Sequence, residues 1–127
     1  MLFQWGRFKS AAGLDLDWKI ECDTLTKADW LCIAAVGARR LPPFGKVIGV
    51  PNGGLALADA LEHFRSPPYQ KPLSKVLLVV DDVWTTGKSM REFVGKENPW
   101  EEWYGYVAFA RGVTPHNVLS FARIYTE

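Results

Sequence analysis

The chain has 127 residues, 48% of them hydrophobic, a length and composition that fit one compact domain, 1–127, with a real core and no independent second module. Fifteen Lys and Arg nearly balance 14 Asp and Glu, for a net charge of +1, so charge gives no argument for nucleic acid or an anionic membrane as partner and leaves a small anionic ligand open. The two cysteines, Cys22 and Cys32, have neither CxxC spacing nor a disulfide framework and are expected to be reduced and buried; with no signal-peptide pattern and no apolar run of about 20 residues, the expectation is a soluble cytoplasmic protein.

In chain order, the first 24 residues mix aromatic and charged positions around the Ala-Ala-Gly at 11–13. WKIEC at 18–22 alternates apolar with charged residues as a half-buried strand does. Thr26 followed by Asp29 has the form of a helix cap, and Trp30, Leu31, Ile33, Ala34 and Leu41 continue at helical spacing, which predicts a helix over 27–40 stopped by Pro42 and Pro43. KVIGV at 46–50 then reads as a strand, Pro51-Asn52-Gly53-Gly54 as a turn, and 55–64 as a helix. SPPYQKPLSK at 66–75 reads as an exposed connection. The pattern recurs with VLLVV at 76–80 as strand, DDVWTTGKS as turn and MREFVGK opening another helix, and 104–110 and 117–125 supply two more strands. Continuous apolar strands alternating with helices predict an α/β fold, a three-layer sandwich with a mainly parallel central sheet and a small strand-rich flank from the N-terminus.

In such a sheet, ligands collect where strand ends lead into helix N-termini. Thr85, Thr86, Gly87, Lys88 and Ser89 offer consecutive backbone N–H groups, three hydroxyls and an ammonium at the positive end of a helix, a combination that suits a phosphate dianion. Gly-Lys-Ser invites comparison with the nucleotide-triphosphate P-loop, but that motif needs a glycine where Asp82 stands, and an acid there repels phosphates. Asp81 and Asp82 leave the apolar strand together. Vicinal carboxylates accept hydrogen bonds from adjacent sugar hydroxyls or hold hydrated magnesium; the plainer reading is that one caps the turn while the other is solvated.

VLLVVDDVWTTGKSM at 76–90 resembles the phosphoribosyl pyrophosphate motif of type I phosphoribosyltransferases: a hydrophobic run, two acids, then Thr-Thr-Gly-x-Ser/Thr. VIGVPNGGLALADAL is similar to that family's pyrophosphate loop, and the N-terminal part loosely resembles the orotate phosphoribosyltransferase branch. The resemblance implies that Asp81 and Asp82 contact the ribose hydroxyls and the metal, that Thr85, Thr86, Gly87, Lys88 and Ser89 bind the 5-phosphate, and that Val50, Pro51, Asn52, Gly53 and Gly54 hold pyrophosphate. It further implies Mg2+ as cofactor, phosphoribosyl pyrophosphate or a nucleoside monophosphate as small-molecule ligand, and a homodimer. The implied activity is transfer of ribose 5-phosphate to a nitrogenous base of the orotate type, with Asp81 and Asp82 at the catalytic centre.

Two departures accompany it. Catalytic members carry another strand and a long closing loop where this chain has only residues 66–75, which opens the alternative of a non-catalytic binding or regulatory module that has lost the loop. Trp84 stands where the family has a smaller residue, and is expected either to pack under the turn or to stack on a base. Thr85 stands where members acting on 6-oxopurines have an acid, which weighs against purine acceptors. Lys9, Lys19 and Arg111 are candidates for neutralising the leaving group, or ordinary surface cations. His63 and His116 are expected to be structural or solvated, and Trp100, Trp103, Tyr104 and Tyr106 to form core or a subunit interface.

Overall fold

The computed structural model describes residues 2–9, 15–66, 76–96 and 102–124. At the N-terminus β1 (Phe3–Lys9) and β2 (Asp15–Ile20) form an antiparallel ribbon running from the Phe3–Ile20 pair. A 3₁₀ turn, Cys22–Thr24, leads to α1 (Lys27–Arg40). The expected cap is present: Thr26 Oγ1 accepts the Asp29 N–H at 3.1 Å, and Asp29 Oδ2 accepts the Thr26 N–H at 2.8 Å. Trp30, Ile33, Ala34 and Gly37 form the buried stripe at helical spacing. Leu31 lies off that stripe and is exposed, while Leu41 is buried as the residue that ends the helix. At the helix C-terminus Arg40 donates to the Ser120 carbonyl at 2.8 Å, where a cation is also favoured by the helix dipole.

The rest of the chain is β3 (Lys46–Gly49), α2 (Leu55–Leu61) with a 3₁₀ turn at Glu62–Phe64, β4 (Val76–Trp84), α3 (Lys88–Lys96), β5 (Glu102–Arg111) and β6 (Val118–Ile124). The last four strands form one sheet in the order β3-β4-β5-β6, every neighbouring pair parallel. Alternation sorts the central strands between two cores. Leu78, Val80, Tyr106 and Ala108 pack with α1 and α2, whereas Leu77, Val79 and Val107 pack with Met90 of α3. A strand covered on both faces has no reason to alternate polar with apolar, which explains the unbroken run before Asp81. The expected three layers are thus α1 and α2, the parallel sheet, and α3.

One close approach fixes α1 on the sheet. Tyr106, fully buried on β5, donates its hydroxyl to the Ile33 carbonyl at 2.8 Å, and its ring fills the space where Gly37 lacks a side chain. A methyl group at Gly37 would stand 2.5 Å from Tyr106 Cζ.

Several expectations change in detail. The strand beginning at Val76 does not end at Val80: it carries Asp81, Asp82, Val83 and Trp84, pairing with β5 as far as Trp84–Ala110, so the turn proper is 85–87. The helix from Leu55 gives way to a 3₁₀ turn after Leu61, and the last helix begins at Lys88, before Met90. Cys22 is buried, but Cys32 faces outward on α1; both are free thiols. Trp103 packs on the α3 side and Tyr104 and Tyr106 on the other, because neighbours on a strand point to opposite faces. Residues 11–13, 67–75 and Trp100 lie outside the described residues, as do the side chains of Lys9 and Lys19. No described helix is long and apolar enough to cross a membrane.

Candidate functional site

The parallel register brings the carboxyl ends of β3, β4 and β5 to one edge of the sheet, so the turns that follow β3 and β4 lie side by side. After Trp84 the chain turns through 85–87 into α3. Gly87 takes a φ of +82°, a conformation that disfavours side chains, and its α-carbon lies against the Trp84 indole, where a methyl group would stand 2.8 Å from Cζ3. Trp84 is 4% exposed and belongs to the α3-side core, so it packs under the turn. Thr86 Oγ1 accepts a long 3.4 Å bond from the Lys88 N–H, weak enough for an oxyanion to compete with. The turn and the end of β4 enclose a cleft of about 60 Å³, lined by Asp81, Trp84, Thr85, Thr86, Gly87, Lys88 and Ser89 and floored by Val83, Met90 and Val107. That is room for a few waters or one small oxyanion.

The two acids divide between the turns. Asp81 is 8% exposed and lines the cleft with the 85–89 turn. Asp82, next along the strand, sets its carboxylate against Gly53 in the turn after β3. Each is fixed by the following peptide: Asp81 Oδ1 accepts the Asp82 N–H, and Asp82 Oδ1 accepts the Val83 N–H, both at 2.8 Å. Burial holds the Asp81 carboxyl well above the usual carboxylate range, and the hydrogen bond and negative charge of Asp82 push it further the same way. Cys22, buried in the core on the α1 and α2 side, feels their charge: its thiol is pushed up to about 12 by burial and then by the charges of Asp82, Asp23, Asp81 and Glu21. A thiol so placed stays protonated and is no nucleophile.

The turn after β3 is tied to the strand that carries the acids. The Val50 N–H donates to the Val80 carbonyl at 2.8 Å, the Gly54 N–H to the Val50 carbonyl at 2.8 Å, and the Leu55 N–H to the Asn52 carbonyl at 3.2 Å. Pro51 has no N–H, and the Pro51–Asn52 peptide is cis. Of the five residues 50–54, Asn52 and Gly53 are therefore the ones whose amides are not already used within the turn.

The other sequence candidates fall apart in space. Arg111 ends β5 at the same sheet edge, its pKa lowered by burial. His63 lines a groove between α1 and α2 with Trp30, Leu31 and Asp59, and His116 sits in the connection between β5 and β6. Among the described residues no three His, Cys, Asp or Glu side chains form a metal-binding group. Sequence reasoning missed the contact of Asp82 with Gly53, the effect of the acids on Cys22, and Arg91. The last donates to the Thr86 carbonyl at 2.8 Å with its guanidinium 5.3 Å from the Trp84 ring centroid. Its one visible signal is an arginine in the first turn of a helix that follows a glycine turn.

No protein-family model matches the chain, and no curated protein matches it in sequence. Solved structures do match in shape. The orotate phosphoribosyltransferase of Aeropyrum pernix is similar over 96% of this chain and 88% of its own, at 24% identity and a TM-score of 0.68. That of Mycobacterium tuberculosis H37Rv is similar over 96% and 89%, at 16% identity and a TM-score of 0.67. UMP synthase of Leishmania donovani is similar over 97% of this chain and 34% of its own, at 15% identity and a TM-score of 0.73. At such identities the likeness is one of backbone architecture, and with the parallel sheet, its flanking helices and the two turns at one edge it makes the fold that of the type I phosphoribosyltransferases.

Proposed function

We propose that the chain is a phosphoribosyltransferase that moves ribose 5-phosphate from phosphoribosyl pyrophosphate to a ring nitrogen of an orotate-like base. The observation that supports this most is the arrangement of four groups along one sheet edge: the 85–89 turn, Asp81, Asp82, and the amides of Asn52 and Gly53, which donate to no described residue. In that order they match a 5-phosphate, two ribose hydroxyls and a diphosphate. The cleft at 85–89 has room for one small oxyanion, and the acid at Asp82 weighs against a triphosphate. Thr85, lining the cleft as a neutral residue, favours a pyrimidine-type acceptor over a 6-oxopurine.

In the reaction the bond between ribose C1 and the pyrophosphate oxygen breaks, its electron pair leaving with pyrophosphate. A lone pair of the base nitrogen forms the new bond to C1, and the base loses the proton that nitrogen carried. No covalent intermediate with the protein is needed, which agrees with Cys22 being held protonated. The chain's own contribution is orientation: the turn fixes the phosphate end, the acids fix the sugar, and backbone N–H groups face the leaving group. Magnesium fits the donors in kind: Asp81 and Asp82 carry hard oxygen ligands close to each other, this ion is commonly held by one or two carboxylates plus substrate oxygens, and its binding would displace the proton that burial and Asp82 keep on Asp81. Asp81 and Asp82 would hold it, and when bound it would offset the charge of the diphosphate.

A second reading, a binding module without turnover, is favoured by the short path from Phe64 to Val76, joined by residues 65–75 alone. One pair of measurements separates the two. Calorimetric titration with magnesium and phosphoribosyl pyrophosphate should show binding that Asp82→Asn removes, and a pyrophosphate-release assay across a panel of bases should show turnover with orotate. Binding without release from any base would leave only the second reading; no binding would sink both.

A further inference from the structure

Arg91 takes no part in the reading above, yet it touches the phosphate turn from behind at two points. Its guanidinium donates to the Thr86 carbonyl at 2.8 Å, and its backbone N–H donates to the Gly87 carbonyl at 3.0 Å. In a trans peptide the C=O and the following N–H point in opposite directions. A carbonyl held toward Arg91 therefore turns the N–H of the next residue away from it. The side chain thus holds the Thr86 carbonyl and turns the N–H of Gly87, which lines the cleft, away from itself; the Gly87 carbonyl is held by the backbone bond that any residue at 91 makes in the first turn of α3, and the Lys88 N–H is bonded to Thr86 Oγ1.

The guanidinium is itself held in place. It lies 5.3 Å from the centroid of the Trp84 ring, and that ring is 4% exposed, locked in the core with Met90 and Val107. Gly87 presses on the same indole. Trp84 is thus a fixed post, with the turn set against it and Arg91 bracing the turn. The arginine side chain is exposed and contributes nothing to the buried core, so a substitution there tests the brace without dismantling the domain.

We infer that Arg91 is a positioning residue for anion binding: stacked on Trp84 and bonded to the Thr86 carbonyl, it aims the Gly87 amide into the cleft. The inference rests on reading 85–89 as a phosphate site. It distinguishes a planar fork that stacks and donates at a fixed angle from a simple positive charge near an anion, a difference that lysine and arginine express directly.

The test uses ribose 5-phosphate as probe, titrated calorimetrically into wild type, Arg91→Lys and Arg91→Met, with amide resonances of Gly87 and Lys88 followed on the same additions. Wild type should bind with both amides shifting. Both variants should bind about tenfold more weakly, with a smaller shift of the Gly87 amide and cooperative thermal unfolding close to that of wild type. Arg91→Lys binding like wild type while Arg91→Met binds weakly would reduce Arg91 to a charge and overturn the inference. Both variants binding like wild type would overturn it as well, while leaving the phosphate site intact. Failure of wild type to bind, or binding without movement of the two amides, would remove the phosphate site and the inference with it.

Discussion

The carboxylate of Asp82 lies against the α-carbon of Gly53, so close that a methyl group there would stand 2.6 Å from Oδ1 and overlap Oδ2. The contact joins the acidic end of β4 to the turn after β3. Gly53→Ala should therefore move the Asp82 carboxylate, since the backbone around it is held by the bond from Val50 to Val80. We expect a loss of about 1–3 kcal/mol of stability, the range for overpacking a close contact, together with loss of phosphoribosyl pyrophosphate binding. The cause is checked by a double-mutant cycle in urea unfolding: with Asp82→Ala in place, Gly53→Ala should cost little, because the group it strikes is gone. Additive costs would show that the strain lies in the turn itself.

Asp81 gives the protein without metal or ligand a characteristic dependence on pH. Its carboxyl titrates near 3.8 when unfolded and is raised to about 8 in the folded chain, by burial first and then by Asp82. The folded state therefore keeps a proton that the unfolded state releases. The stability this contributes is complete below the unfolded value and is lost as pH rises through the folded one. Urea midpoints should fall between about pH 4 and pH 8. Asp81→Asn, which keeps the shape and cannot ionise, should flatten that slope and match or exceed wild type at the alkaline end, while abolishing ligand binding. A wild-type slope unchanged by Asp81→Asn would place the titrating group elsewhere.

How far the sequence could be read depended on whether the deciding contacts were local. The cap of α1 was legible because Thr26 and Asp29 meet within one turn, and its end because Pro42 and Pro43 follow at once. The central position of β4 was legible because a strand buried on both faces must be apolar throughout. Its true end was not: two aspartates suggest a turn, but pairing of Asp81 with Val107 and of Val83 with Phe109 keeps the chain extended to Trp84, tertiary context overriding local preference. The turn at 85–87, with its glycine and hydroxyls, was legible as the link from strand to helix from residue types alone. The facing of Asp82 onto Gly53 was invisible, because it follows from the register that sets Gly49 beside Val80. Cys32 was expected inside on its chemistry, and its place on the outer face of α1 overruled that.

Gly87 carries two constraints at once, a φ of +82° and the indole of Trp84 against its α-carbon. They separate by substitution. Gly87→Ala meets both, adding a backbone cost of about 1–2 kcal/mol to the clash with the ring. Gly87→Asn suffers less from the backbone, since asparagine tolerates this conformation better than other side chains, but it meets the same ring. If the ring dominates, the two variants should be destabilised alike in thermal unfolding, and neither should bind inorganic phosphate. An asparagine variant clearly more stable than the alanine one would assign the larger cost to the backbone.

The helix layer opposite α3 is set by Tyr106 and Gly37, away from the candidate site. Burial raises the tyrosine hydroxyl to about 12, so it remains a donor to the Ile33 carbonyl across the physiological range. Tyr106→Phe should remove that one bond, costing about 0.5–1.5 kcal/mol, with ligand binding unchanged. Gly37→Ala should cost about 1–3 kcal/mol, because α1 has to lift from the fully buried Tyr106 ring, which has no room to move. Both effects are read from the urea midpoint at constant m value. The usual preference of helices for alanine over glycine opposes the second prediction by about 0.8–1.0 kcal/mol. A Gly37→Ala chain more stable than wild type would therefore mean that α1 stands further from the sheet than the Tyr106 bond places it.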